Sequence, residues 1–281
     1  MREAINIDSK QKFSSDPMIS IIIPTFNSEK TLAPCLQSIQ NQTYPNVETI
    51  MVDNCSQDNT VQISKKFNAE VLLLRGGRCS ARNLGAREAR GNFIFFVDSD
   101  MELTSALVEE CATMCLQKSV DAVTIPEVSI GKGFVAECRK KEKEMHAHLK
   151  FSEAPRFFRK EVFCSVGGYD ENLVSGEDFD LRARIEKAGY KIERCKAEIR
   201  HLEGELSMKR LVLKVYHYGK TLPSYARKNP LLAMKTSSPI HIFQNFRLFF
   251  RYPLHFMGLI AIKLIEYMAY SAGMLSIIFG G

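Results

Sequence analysis

Asn92-Phe93-Ile94-Phe95-Phe96-Val97-Asp98-Ser99-Asp100, the run NFIFFVDSD at 92–100, decides how this chain reads. Five successive apolar side chains leave no polar face. That suits a strand covered on both sides, as in a parallel sheet between helices. The run then turns abruptly polar, with two carboxylates flanking one serine.

Outward from it the same pattern repeats. Met18–Pro24 (MISIIIP), Val47–Asp53 (VETIMVD), Glu70–Leu74 and Asp121–Ile125 predict strands. Helices are predicted between them over Ser28–Asn41, Asp58–Phe67, Arg78–Arg90 and Ser105–Gln117. In the first helix, Leu32, Cys35, Leu36 and Ile39 recur at helical spacing. Such alternation predicts βαβ units around a parallel sheet. Beyond Pro126 the pattern changes. Lys132–Lys150 predicts a charged helix, 155–166 (PRFFRKEVFCSV) a strand and a turn of helix, and Gly167–Asp170 a loop. Glu177–Ala188 predicts a helix with Leu181, Ile185 and Ala188 on one face and Gly189 as its left-handed cap. No repeat or low-complexity linker interrupts residues 1–206, which read as one domain.

Composition sets the class. The chain has 281 residues, 45% hydrophobic and 25% charged, which excludes a disordered chain, a collagen and a polytopic membrane protein. Charge is uneven: residues 207–281 hold ten basic side chains against one acid, a net +9, and residues 1–206 a net −3. One end suits an anionic surface; a nucleic-acid face over the whole body is not expected. The eight cysteines form no CxxC and no Cys–His zinc spacing, so they read as small core side chains. The start, MREAINIDSKQKFSSD, shows no apolar signal region, and with free thiols this predicts a reducing cytosol.

In an open parallel sheet, ligands bind beyond the carboxyl ends of the strands. Four predicted strands end in polar clusters: Pro24-Thr25-Phe26-Asn27, Asp53 to Asp58, Arg75-Gly76-Gly77-Arg78 and Asp98-Ser99-Asp100. All four are expected along one edge. Alternate carboxylates on an extended turn reach one hard cation that also binds diphosphate oxygens. A solvated turn is the plainer reading of Asp98-Ser99-Asp100; its place at the end of a buried strand favours the ligand. Asp53 can accept from a base N–H or a ribose hydroxyl, or serve a turn, while Ser56 and Asp58 read as helix caps. Gly76–Gly85 joins a strand to a helix, a setting that favours anions, with Arg78 and Arg82 one turn apart; Arg82 reads equally as a surface arginine. The segment is not GxGxxG, which makes a dehydrogenase a poor reading. Asp178 shares a face with Leu181 and Ile185 and suits a general base at a helix start. Ser175-Gly176-Glu177-Asp178 also reads as a capping box, and spacing alone favours that. His201 reads as structural or as a ligand; His146 and His148, on a charged helix, are expected in solvent.

Together these segments are recognisable. Residues 18–206 resemble the family-2 inverting glycosyltransferases of the GT-A fold, through SIIIPTFN (20–27), VDNCSQDNT (52–60), ARNLGAREARG (81–91), FVDSD (96–100), GGYDE (167–171) and GED (176–178). The resemblance implies an α/β, Rossmann-like, mostly parallel sheet flanked by helices. It implies that a nucleotide-diphosphate sugar is bound by Pro24, Thr25, Asn27, Asp53, Arg78, Arg82, Asn83, Asp98 and Ser99. Asp100, with Asp98 and His201, would hold Mn²⁺ or Mg²⁺. Asp178 would be the catalytic base and Glu177 would support the acceptor or the base's orientation. Gly168, Tyr169 and Asp170 would mark the acceptor side.

The tail, 207–281, lies outside the resemblance. Phe256–Phe279 is almost wholly apolar and long enough to span a bilayer, but Lys263 and Glu266 interrupt it, one turn apart. His255, Leu259, Lys263, Glu266 and Tyr270 form a partly polar stripe, which suits a helix in the membrane interface or against a partner. The expectation is a tail on the cytoplasmic side of the membrane, peripheral or C-terminally anchored, with a glycan or lipid-linked glycan as acceptor. A helical bundle covering the core or forming a homo-oligomer is the alternative. Two rival functions stand beside the transferase: a polyprenyl-phosphate sugar transferase, whose acceptor needs no base, and a catalytically silent nucleotide-binding scaffold at the membrane.

Overall fold

The computed structural model describes residues 17–146, 153–173, 175–205, 208–228 and 250–278. Its first part is a strict alternation: β1 (Ile19–Thr25), α1 (Leu32–Gln40), β2 (Val47–Asp53), α2 (Thr60–Lys66), β3 (Glu70–Leu73), α3 (Arg78–Glu88), β4 (Phe93–Phe96). β1 pairs in parallel with β2 and β4, Ile21 lying beside Thr49 on one side and Phe95 on the other. The sheet continues through β8 (Pro155–Arg159), β6 (Ala122–Thr124) and β9 (Ile192–Arg194), in the order β3-β2-β1-β4-β8-β6-β9. Only β8 runs against the rest, antiparallel to both β4 and β6.

The strand period of two sorts β1 between two cores. Ile19, Ile21 and Ile23 face α1 and α4 (Leu107–Gln117), among Leu36, Phe95 and Cys111. Ile22 faces α3, α6 (Lys160–Ser165) and α7 (Glu177–Lys187), among Ala81, Phe96 and Leu181. All four isoleucines are fully buried. Burying each contributes roughly 1.5–3 kcal/mol. That two-sided burial is why these strands carry no polar alternation. Around Phe96 the packing is aromatic, with Tyr169, Phe163 and Phe158 at centroid distances of 5.3, 5.2 and 5.9 Å.

A second sheet joins β5 (Met101–Leu103), β10 (Ile199–Glu205) and β7 (Glu127–Lys132). β5 and β7 are absent from the sequence reading. Three residues show no period, and the residues before the charged helix form a strand only because β10 pairs with them from a distance. The charged helix, α5 (Phe134–His146), accordingly starts later than predicted. Ala188 is exposed, not on the buried face expected of it. Cys164 is exposed and Cys55 half-buried, so two of the eight cysteines are not core. His148, Phe243, Phe246 and Phe249 lie outside the described residues.

In the tail, α8 (Met208–Lys228) and α9 (Pro253–Ile278) pack on each other and on α5. The polar stripe of α9 turns inward. Leu259 and Glu266 are buried, Arg139 lies 3.1 Å from Glu266, and Lys263 pairs with Glu142 and with Glu266, the latter at 2.8 Å. The stripe therefore meets helices of the same chain. The outer face keeps Leu254, Met257, Leu264 and Met268 exposed, and 25 residues of the helix are long and apolar enough to cross a membrane. Where α8 and α9 cross, glycines let the backbones touch: a Cβ on Gly219 would fall 2.1 Å from the Tyr270 carbonyl oxygen. Gly219→Val should therefore lower stability by about 1–3 kcal/mol or more, the range for overpacking. Denaturant unfolding monitored by circular dichroism checks this, and an unchanged midpoint would mean the helices do not cross here.

Candidate active site

The carboxyl ends of β1, β2 and β4 and the start of α3 enclose a cleft of about 320 Å³, lined by Pro24, Thr25, Phe26, Arg78, Asp98 and Asp100 among others. Ser99 and His201 also face it, and Ser99 donates to or accepts from Ser28 across 2.9 Å. Phe26 is 59% exposed, an apolar ring held in solvent at the cleft wall.

Asp53 ends β2 fully buried beneath this wall. Its carboxylate accepts from Thr25 Oγ1 at 2.9 Å and from the Ser56 backbone N–H at 2.7 Å, and bonds the Ser56 hydroxyl. These contacts shape the loops at the ends of β1 and β2. Asn27, at φ +49°, ties the same loops together: its N–H donates to Ser56 Oγ and its Oδ1 accepts from Gln57 N–H. Asp58 accepts from the Thr60 N–H at 3.0 Å at the start of α2, whereas Ser56 is committed to Asp53.

Arg82 is the centre of the site. It is 1% exposed, and its guanidinium donates to Asp98 Oδ1 at 2.9 Å and to Asp178 Oδ1 at 3.2 Å, with Glu177 at 3.7 Å. It lies 5.0 Å over the Tyr169 ring. The surface reading of Arg82 fails because α3 presses this face onto β1 and β2. Burial works against its charge, but the surrounding anions prevail and raise its pKa further.

Asp98 is held between two arginines at the cleft. Oδ1 takes Arg82, and Oδ2 lies 3.2 Å from Arg156, which also donates to Glu127. Burial opposes ionisation of Asp98; Arg156, Arg82 and Arg78 outweigh it and hold the carboxyl far below the usual carboxylate range. Asp100 differs: it is 39% exposed, with His201 Nε2 at 3.1 Å. The pairing of His201 with Met101 between β10 and β5 brings these two together across 101 residues.

Glu177 and Asp178 open α7, and the capping box does not form. Gly176 occupies the N-cap at φ +79°, with no side-chain cap. Glu177 is buried against Arg78 and Arg82, and burial and Asp178 push its pKa up. Asp178 is 30% exposed, and burial and the charge of Asp178 raise the pKa of Tyr169. Tyr169 is itself buried, beneath the Arg82 guanidinium. Asn83 clamps the loop: it donates to the Tyr169 carbonyl and accepts the Tyr169 N–H, both at 2.9 Å. Gly168 must be glycine there, at φ +66° with a Cβ position 2.8 Å from Asn83 Oδ1. Gly168 and Asp170 line a separate hollow of about 690 Å³ that shares no residue with the cleft. Their acceptor-side assignment gains nothing from this placement.

Sequence reasoning missed Phe26, Arg156, Glu127 and Lys214. An aromatic after a strand was a visible signal for Phe26. Arg156 had none, because its place depends on β8 running antiparallel to β4, Phe157 beside Phe95. Lys214 reaches the cleft from α8.

The profile of Glycosyl transferase family 2 matches residues 20–168. Glycosyltransferase AglE of Haloferax volcanii is 29% identical over 198 residues, 64% of each chain. Poly(ribitol-phosphate) beta-N-acetylglucosaminyltransferase TarS of Staphylococcus aureus is 35% identical over 115 residues, 38% of this chain and 20% of its own. The chain spans less than two thirds of the length of these relatives. Among solved structures, the mannosyltransferase PcManGT from Pyrobaculum calidifontis, in complex with GDP-Man and Mn²⁺, shares the fold at TM-score 0.62 and 15% identity, covering 95% of this chain and 88% of its own. TarS 1–349 in complex with UDP-GlcNAc does so at 0.57 and 20%, covering 94% and 92%.

Proposed function

Because the chain belongs to glycosyl transferase family 2, we propose that its cleft binds a nucleotide-diphosphate sugar and passes the sugar, with inversion, to a hydroxyl of a glycan or lipid-linked glycan. One observation carries this reading: the single buried guanidinium of Arg82 draws Asp98, at the end of β4, and Asp178, at the start of α7, to one place. A donor-binding edge and a partly exposed carboxylate thus adjoin.

Phe26 offers a face for the base, and Thr25 and Asp53 shape the wall beside it. Arg78 and the start of α3 meet the diphosphate, where a helix N-terminus favours anions. Asp178, steadied by Arg82, accepts the proton of the acceptor hydroxyl. That oxygen attacks the anomeric carbon from the face opposite the diphosphate, which leaves with the bonding pair. Glu177 acts on Arg78 and Arg82, holding them in place.

A divalent cation fits the residues present. Among the described residues no group of three His, Cys, Asp or Glu side chains could hold a metal by itself. A cation shared with substrate phosphates needs only one or two protein donors, and Asp100 with His201 provides them at the cleft. Bound there, Mn²⁺ or Mg²⁺ would neutralise charge on the leaving diphosphate.

Thermal unfolding with UDP-GlcNAc and GDP-Man, each with and without Mn²⁺, tests the reading. Ligand at 100 times its Kd should stabilise by about 2.7 kcal/mol. Asp100→Asn should remove the Mn²⁺-dependent part. If no nucleotide sugar shifts the wild-type midpoint under either condition, the donor site is wrongly assigned. The membrane setting is part of the same proposal. The apolar outer face of α9 and the basic tail support it, each Lys or Arg near anionic lipid adding roughly 1 kcal/mol.

A further inference from the structure

Beside the cleft is another hollow, of about 380 Å³. Gly176, the N-cap of α7, and Phe179 wall one side, and Tyr218, Tyr267 and Tyr270 of the tail helices wall the other. Lys214 lines both this hollow and the cleft. We propose that the hollow is the acceptor subsite and that its occupant is a saccharide joined through a diphosphate to a lipid. The inference rests on the transferase reading above.

Position comes first. Asp178 is flanked in the chain by Gly176 and Phe179, which line the hollow, and is tied through Arg82 to Asp98, which lines the cleft. A saccharide in the hollow therefore sits at the segment that carries the base. The wall chemistry suits it. Aromatic rings take the apolar C–H face of a pyranose, and tyrosine hydroxyls meet its polar rim. The cations divide in two groups. Arg139 and Lys263 are neutralised by Glu142 and Glu266. Lys214 is exposed, with no carboxylate paired to it among the described residues, and its ammonium lies 5.8 Å from the Tyr218 ring centroid. A point charge on a flexible stem suits a phosphate at the mouth.

The lipid follows from α9. The helix that supplies Tyr267 and Tyr270 turns its charged stripe into the protein and leaves Leu254, Met257, Leu264 and Met268 at 58–75% exposure. Such an apolar face beside a sugar-sized hollow serves an amphipathic acceptor. A free glycan would use the hollow and leave that face idle.

The probe is farnesyl-diphosphate-linked N-acetylglucosamine, titrated calorimetrically into the full chain loaded with Mn²⁺ and UDP or GDP. It should bind the wild type, and Tyr267→Ser and Lys214→Ser should each weaken it at least tenfold. Free N-acetylglucosamine should bind at least tenfold more weakly than the probe. A photoreactive diazirine on the probe's sugar should label the start of α7 or the 267–270 segment, which also answers for any variant that folds poorly. Equal binding of the free sugar would remove the lipid from the inference. Labelling elsewhere, or unchanged binding in both variants, would remove the hollow. If neither nucleotide binds the wild type, the transferase reading fails too; if nucleotide binds and the probe does not, only this inference falls.

Discussion

Asp178→Asn lowers turnover by about 10²–10⁴-fold, the contribution of a positioned general base, and leaves the donor's KM close to the wild-type value. Asparagine keeps the shape and an oxygen for Arg82, so the cleft should stand; only the proton acceptor is gone. A loss confined to kcat marks an interaction used in the transition state. The same variant separates the rival acceptors. A phosphate acceptor is already a nucleophile, so a polyprenyl-phosphate sugar transferase would retain most of its rate. Turnover within a few-fold of wild type would therefore remove Asp178 as base. Glu177→Gln should behave differently: Glu177 contacts Arg78 and Arg82, so kcat should fall far less than in Asp178→Asn.

Arg82→Met should be the most destabilising single change in the cleft. It removes one cation shared by Asp98, Glu177 and Asp178 and leaves their charges without their common partner. Breaking a buried pair on one side costs roughly 3–5 kcal/mol. At about 2–4 °C per kcal/mol for a domain near this size, Tm should fall by roughly 10 °C. The pH dependence has a definite sign. Asp98 has a depressed folded pKa, so its contribution is present above its unfolded value of about 3.9 and is lost as pH falls toward the folded pKa. Glu177 has a raised folded pKa, so its ionisation costs stability at neutral pH and acidification relieves that cost. Without Arg82 the relief is larger. The gap between variant and wild type should shrink from pH 7 to pH 4 in thermal melts. A gap that stays constant over that range would mean Arg82 stabilises by packing alone.

The sheet was legible because its signals are local. Ile19–Ile23 and Phe93–Phe96 are apolar at every position or nearly so, and each is followed by a helix with its own spacing. The edge where chemistry gathers followed from strand ends alone. The resemblance supplied roles by position, and the structure adds the contacts each residue makes within the chain: Asn83 to the GGYDE loop, Asp53 to Thr25 and Ser56, and Asp98 to two arginines.

By itself, then, the sequence determined the strands of the sheet other than β9, the family, and the polar clusters that lie along one edge. These depend on hydrophobic period and on residue type within a few positions of each other. Tertiary structure alone decided which charges meet. Arg82 with Asp178, Asp98 with Arg156, Asp100 with His201, and Lys214 at the cleft each join residues far apart in the chain, and a charge carries no local mark of its partner. The same holds for α9, whose polar stripe could face water, lipid headgroups or protein until Glu142 and Arg139 on α5 settled its orientation.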